Sequence, residues 1–439
     1  MTAETLRHYA TAQAAQRTDA PHWLATLRRN GMAAFTSSGF PTGREEAWKY
    51  TSLQALERRR FLPAQGVELA VDAIDALALP ELSRGVRLVF VNGRFLDAAS
   101  TLPDHAGVRV ASLARMLVDA PERVRQRLGA LADAGAHRFV ALSDAFISDG
   151  AWIELQPDAA LDVPIYLLFV SAAEPQEALI QPRVVIDAGA GARATIVEHY
   201  VSAGAAPNLT NVVTEISAGP SSLIEYYDLL EEDGSTFHIG ALHARLDRAS
   251  ALRAHSASAG ARLARRDIHC VLAGEAAEVT LDGLFVAASR RHTDQHLRVE
   301  HAVPHTRSRI DYRGIAEAHG RGVFGGKVVV RAGAQRTDAH QSSRNLLLAP
   351  QAEIDTRPEL EIYADDVKCS HGATVGQLDA DAIFYLRSRG LDEAQARAAL
   401  TLAFAQPLIE RCTLESVRER FGAAMLAALP AAASMGDHA

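Results

Sequence analysis

Between Ala151 and Ala373 the chain repeats one pattern, a turn of small residues followed by a short run in which β-branched or aromatic residues alternate with polar ones. It reads AGAGARATIVEHY from Ala188, SAGPSSLIEYYDL from Ser217, RASALRAHSASAG from Arg248, LAGEAAEVTLDGLF from Leu272, VPHTRSRIDYRG from Val303 and LAPQAEIDTRPELEIY from Leu348. The turns recur at intervals on the order of 25 to 45 residues, the range of stacked supersecondary units. Alternation with period two puts one set of side chains on a buried face and the next on an exposed face. No segment long enough for a helical crossover interrupts the stretch, which disfavours a parallel α/β fold. Each unit is too thin to bury its own inward residues and does so only by stacking on its neighbours, so the expectation is a β-solenoid. An ordinary β-sandwich is the alternative this pattern leaves open.

The flanks have a different texture. From Thr5 to about Leu62 apolar residues such as Trp23, Leu24, Leu27 and Met32 recur at helical spacing, interrupted by Gly31, Gly39, Pro41 and Gly43. Residues 67–145 mix short apolar runs such as Val86 to Val91 with a helix expected near Leu113 to Leu131. After Gly390, Asp392 is placed to cap an alanine-rich amphipathic helix, and a second helix is expected from about Leu408 to Leu429 around Pro407. The chain therefore divides into a helical and mixed N-terminal domain (1–145), a β-helix core (146–375) and a helical C-terminal domain (376–439). The C-terminal helices are expected to cover an end of the solenoid, or to present Leu400, Phe404, Leu408, Ile409 and Leu414 as a docking stripe.

Charge and cysteine usage exclude several classes. A formal net charge of -8 over 439 residues lacks the basic face needed to neutralise phosphates, so a general nucleic-acid binder is not expected. Cys270, Cys369 and Cys412 are odd in number and widely spaced, unlike a disulfide framework, and point to a reducing compartment. The N-terminus shows no apolar leader core, and the longest dense apolar run, Val163 to Val170, is too short to span a bilayer. The expectation is a cytoplasmic protein that contacts neither membrane nor nucleic acid.

Cys369 and His371, in the run Val367-Lys368-Cys369-Ser370-His371, are the residues best suited to metal chemistry. In an extended strand the i, i+2 spacing puts both on one face, and thiolate and imidazole suit iron, zinc or copper. Forming the thiolate at neutral pH costs roughly 2 kcal/mol, which a metal bond can offset. Two ligands do not complete a site that wants about four, so ordinary packing is the competing reading unless a partner chain supplies the rest. The histidines from His292 to His340 do not converge, since His296 and His301 would face opposite ways along one strand. Cys270 beside His269 reads as a buried thiol. Asp365 and Asp366 suggest a carbohydrate-active β-helix enzyme, yet adjacent strand residues face oppositely. GRGVFGG, Gly320 to Gly326, lacks the phosphate-loop pattern and reads as tight solenoid turns. No nucleophile signature is present, so catalysis by this chain alone is not expected.

The run RGVFGGKVVVRAGAQRTDAHQSSRNLLLAPQAEIDTRPELEIYADDVKCSHGATVGQLDADAIFYLRSRG, Arg321 to Gly390, resembles the SufD family of the SUF iron-sulfur assembly system. HAVPHTRSRIDYRGIAEAHG just before it and REEAWKYTSL, Arg44 to Leu53, are similar too. The resemblance implies a right-handed parallel β-helix between helical domains, and a non-catalytic scaffold that pairs with SufB through the β-helices. It also implies docking of the SufC ATPase on the C-terminal helices, with Leu400 and Phe404 as contacts. His371 matches a family histidine at the SufB interface and Cys369 the cysteine two residues before it, so iron or a nascent cluster would be shared with the partner chain. A homodimer in isolation is also compatible.

Overall fold

The computed structural model describes residues 3–16, 20–103, 105–205 and 207–427. Among these residues the strands form two sheets, of 11 and 10 strands, and successive strands alternate between them. Arg183–Ala188, Asn208–Ala218, Phe237–Leu246, Leu263–Leu272, His292–His301, Arg321–Val330 and Glu353–Ile362 follow one another in the first sheet. Arg193–Ala203, Leu223–Glu231, Ala251–Ser258, Glu278–Ala287, Arg307–Ala316, Thr337–Leu347 and Val367–Gln377 follow one another in the second. All these pairings are parallel and in unbroken register, so the chain winds as a parallel β-helix with roughly 30 residues per coil.

The alternation foreseen in the sequence becomes the inside and outside of this coil. Ile216, Ala244, Cys270, Val299 and Val328 stack as one inward column of the first sheet. With inward residues of the second sheet such as Ile224, Leu252 and Val279 they make one continuous core. Each turn leading from a first-sheet strand to the next second-sheet strand, except the last, holds one residue in the left-handed region: Gly191, Ser221, Ala249, Ala276, His305 and Arg336, with φ from 57° to 71°. The backbone N–H groups of Gly191, Ser221, Ala249, His305 and Arg336 donate to turn carbonyls of the following coil, those of Pro220, Arg248, Glu275, Gln335 and Asp366, at 2.5 to 2.9 Å. Stacking on the next turn thus offsets the cost of the left-handed backbone at four non-glycine positions, Ser221, Ala249, His305 and Arg336.

Helices cover both outer faces of the solenoid. The N-terminal lobe lies on the first sheet, where Tyr9, Phe35, Phe40 and Phe139 pack against Leu209, Phe237 and Leu263. REEAWKYTSL is the seam. The guanidinium of Arg265 lies 3.7 Å from the Trp48 ring centre and donates to the Ala47 carbonyl and to Asp294, while the Thr51 hydroxyl donates to Asp294. Deeper in the same seam, Arg183 is wholly buried between Asp144 and Glu215, each 2.6 Å away.

The C-terminal helices Glu393–Ile409 and Glu415–Ala427 lie along the outer face of the second sheet rather than over its end, with Ala405, Ile409, Val417 and Phe421 against Tyr227, Leu284, Val286 and Ile315. They are therefore no cap, because their apolar stripes match a flat outer face already built of Leu, Val and Ile. Asp392 forms a full capping box with Gln395. Pro407 sits inside the first of these helices at an exposed position, where it removes one backbone N–H donor. GRGVFGG is likewise not a turn, since Arg321–Val330 is a strand. A Cβ on Gly325 would stand 2.7 Å from the His296 ring and one on Gly326 2.4 Å from Gln341 Nε2, so these glycines make room for neighbouring side chains.

The two ends of the solenoid differ. At the first, the short antiparallel strands Arg94–Phe95 and Val108–Ser112 terminate the sheets. At the other, Glu353–Ile362 and Val367–Gln377 are the last strands of their sheets, with no strand beyond them among the described residues.

Candidate functional site

Strand Thr337–Leu347 sends Thr337, Ala339, Gln341, Ser343 and Asn345 inward, all buried. The residues beside them in the terminal strand are Val367, Cys369, His371, Ala373 and Val375. These share the inward face and, with no further coil on them, form the rim of an open mouth. Cys369 and His371 therefore lie on one face, as their spacing predicts. Cys369 is half-buried against the core edge, and burial, aided by the nearby Asp338 carboxylate, pushes its thiol up. The raised value favours the thiol over the thiolate. His371 is exposed.

The other sequence candidates scatter. Ser370 faces outward, where its hydroxyl meets His340 Nδ1 at 2.7 Å, and His340 Nε2 lies 2.9 Å from Asp338. His301 is sealed in the lumen, its ring nitrogens on the hydroxyls of Thr306 and Ser308, and burial drives its pKa down to about 4. His292 joins the Thr51 seam, and His296 lies against Asp294 on the outer face. The Cys270 thiol, enclosed in the core, is pushed up to about 12 by burial. Asp365 and Asp366 occupy the exposed final turn, with Asp366 3.6 Å from Arg336. Among the described residues no group of three or more His, Cys, Asp or Glu is arranged to hold a metal ion. Cys369 and His371 contribute one sulfur and one nitrogen, which suits iron in kind but not in number.

Around the mouth the surface is apolar. Tyr363 is 61% and Val375 44% exposed, and the helix Ala380–Ser388, which buries none of its residues, holds Phe384 at 75% and Tyr385 at 56%. Together with two bare strand edges this is an unsatisfied surface, since unpaired backbone groups and clustered apolar side chains both favour a partner. A separate recess of about 260 Å³ lies where Glu46 and Tyr50 meet His296, Lys327 and Arg357, and its cations are already paired, Lys327 with Glu361 and Arg357 with Glu46 and Glu359. Phe404 is half-buried beneath the Arg313 guanidinium, 5.4 Å from its ring centre, and Leu400 is half-buried on the preceding turn of the same helix.

Sequence reading missed the buried polar layer of Gln341, Ser343 and Asn345 directly under the mouth. Its signal was present in HQSSRN, where polar residues hold every alternate position that the pattern assigns to the inside.

Two family models match in tandem: the SufBD protein N-terminal region over residues 2–167, and the SufBD core domain of SUF system FeS cluster assembly over residues 169–404. An iron-sulfur cluster assembly SufBD family protein of Synechocystis is 34% identical over 406 residues, spanning 90% of this chain and 89% of that one. Iron-sulfur cluster assembly protein SufD of Escherichia coli is 32% identical over 399 residues, spanning 90% and 91%. The chloroplastic protein ABCI7 of Arabidopsis thaliana is 26% identical over 404 residues, spanning 90% and 84%.

Proposed function

Because the chain belongs to the SufBD family of iron-sulfur cluster assembly proteins, we propose that it is a non-catalytic scaffold whose open solenoid end is one half of a shared assembly site. The observation that carries this is the mouth: two bare edge strands, an apolar rim, and Cys369 and His371 on the inward face with too few ligands to close a site. A SufB chain stacking its own β-helix end on Val367–Gln377 would continue the sheet and bring the missing ligands. Main-chain hydrogen bonds would supply affinity and the rim side chains specificity. Iron or a nascent cluster is cargo held between the chains.

The C-terminal helices are the surface for a SufC-type ATPase. Leu400 and Phe404 are only half covered by the solenoid, and a docked partner would complete their burial. The lack of a phosphate-binding loop in this chain fits a division of labour in which ATP hydrolysis belongs to that partner. No helix among the described residues is long and apolar enough to cross a membrane.

The test is His371→Ala in the co-purified complex. The complex with SufB and SufC should persist while iron and sulfide content after anaerobic reconstitution fall. Unchanged iron and sulfide would remove His371 from the site.

A further inference from the structure

The layer under the mouth contains buried polar atoms that packing does not explain. Gln341, Ser343 and Asn345 are 4%, 0% and 3% exposed, and they lie beside His371, Ala373 and Val375 in the register. Asn345 Nδ2 donates to Ser343 Oγ at 3.0 Å and to the Thr374 carbonyl at 3.1 Å, and the Thr356 hydroxyl donates to Ser343 Oγ at 3.2 Å from the opposite sheet. Gln341 reaches across the lumen, where its Nε2 donates to the Gly326 carbonyl at 3.1 Å. A carbonyl only accepts, so the atom facing Gly326 must be the amide nitrogen and the remaining one the oxygen. That oxygen, Gln341 Oε1, is buried and has no partner.

An acceptor buried without a donor is destabilising, so an amide oxygen kept at this position calls for a donor. The layer is open towards the mouth, so a donor can reach it from the terminal strand. Adjacent strands are about 4.8 Å apart, and His371 is the next residue along this column on the same face. A metal-binding imidazole generally donates its second ring N–H to a carbonyl or carboxylate, which fixes tautomer and orientation. Cys369 has only Ala339 beneath it, so Gln341 is the one column neighbour of the ligand pair able to accept.

We propose that Gln341 is the positioning residue for His371. Its Oε1 accepts the ring N–H turned into the lumen, leaving the other ring nitrogen unprotonated and directed out of the mouth towards the cargo. The inference rests on reading His371 as an iron ligand, but its first test does not.

In the full chain labelled with 15N-histidine at neutral pH, long-range proton-nitrogen spectra report the tautomer of each ring, and His371 is assigned by its loss in His371→Ala. A single tautomer is expected in the native chain, and a mixture of both in Gln341→Met, which keeps the length and removes the acceptor. If the methionine variant does not fold, Gln341→Asn, one methylene shorter, withdraws the oxygen and should give the same mixture. Ser343→Ala, which removes an inward hydroxyl from the same strand but not from the His371 column, should leave the single tautomer intact. In the reconstituted complex with SufB and SufC, Gln341→Met should weaken ferrous-iron binding about 10-fold or more. An unchanged tautomer in the Gln341 variants, or an equal change in Ser343→Ala, overturns the proposal. If His371→Ala leaves iron binding intact while Gln341→Met still mixes the tautomers, the iron assignment falls and the positioning contact stands.

Discussion

The two ends of the solenoid are built from the same coil and finished in opposite ways. At the first end, antiparallel strands of two and five residues, Arg94–Phe95 and Val108–Ser112, blunt the edges, and Leu113, Met116 and Trp152 bury the adjoining outer face. At the last end, strands of 10 and 11 residues stop with their edges unpaired and carry Cys369 and His371 on the inward face. Short, reversed or covered strands are the usual means of preventing edge-to-edge association. Among the described residues this chain uses them at one end and not at the other, which is the contrast expected if the bare edge is the proposed interface.

If that contrast is right, the closed half should carry the stability and the open end the association. The strongest effect of any single substitution is expected at Arg183, whose replacement by methionine leaves Asp144 and Glu215 buried without their cation and should lower unfolding free energy by about 3 to 5 kcal/mol in urea titrations. A loss below about 1 kcal/mol would erase the distinction between the halves.

Acid should act on the solenoid body next. Burial depresses His243, His255 and His301 to about 4 from an ordinary value near 6.5, so between those limits the unfolded chain binds protons that the folded chain refuses. Their stabilising contribution is complete above pH 6.5 and is lost as pH falls to 4, at up to about 1.4 kcal/mol per pH unit for each ring. Asp282 opposes this. Burial raises it to about 6, so its contribution is complete below the unfolded value near 3.8 and disappears as pH rises through 6. Three groups outweigh one, and melting temperature should fall between pH 6.5 and 4. Asp282→Asn should steepen that fall and His301→Gln should make it shallower.

The smallest effect on the chain itself, and the most telling for the comparison, is expected at the rim. Val375→Arg adds charge at a half-exposed position and should change stability by no more than about 0.5 kcal/mol, yet it should abolish co-purification with the SufB partner. A variant that melts early or still binds would show that the open end is part of the body after all.

Much of this was legible in the sequence, and the remainder was not for identifiable reasons. Alternation in segments such as Ala194 to Tyr200 and Ile224 to Leu229 revealed strands, because period two is imposed by burial on one face only. The turns were only half visible, since Ser221, Ala249, His305 and Arg336 adopt a conformation usually signalled by glycine and are held there by the next coil. Conversely, Gly325 and Gly326 looked like turn residues and lie within a strand, because the side chains that need their space come from the preceding coil, His296, and from across the lumen, Gln341. Cys369 and His371 were paired by spacing and resemblance, and the structure puts them on one face of the terminal strand. Gln341 was not, because its meaning depends on which residue stands beside it 30 positions later.

Parallel stacking in register has one further consequence. Each coil adds a layer of about 4.8 Å, so the number of coils acts as a ruler between the closed end and the mouth. Inserting or deleting a whole coil would move the mouth along the axis by one layer while His371 still faced inward above whichever residue then occupied the column. Reach and chemistry are thus separately adjustable in this architecture, the first by counting coils and the second by changing only the last two.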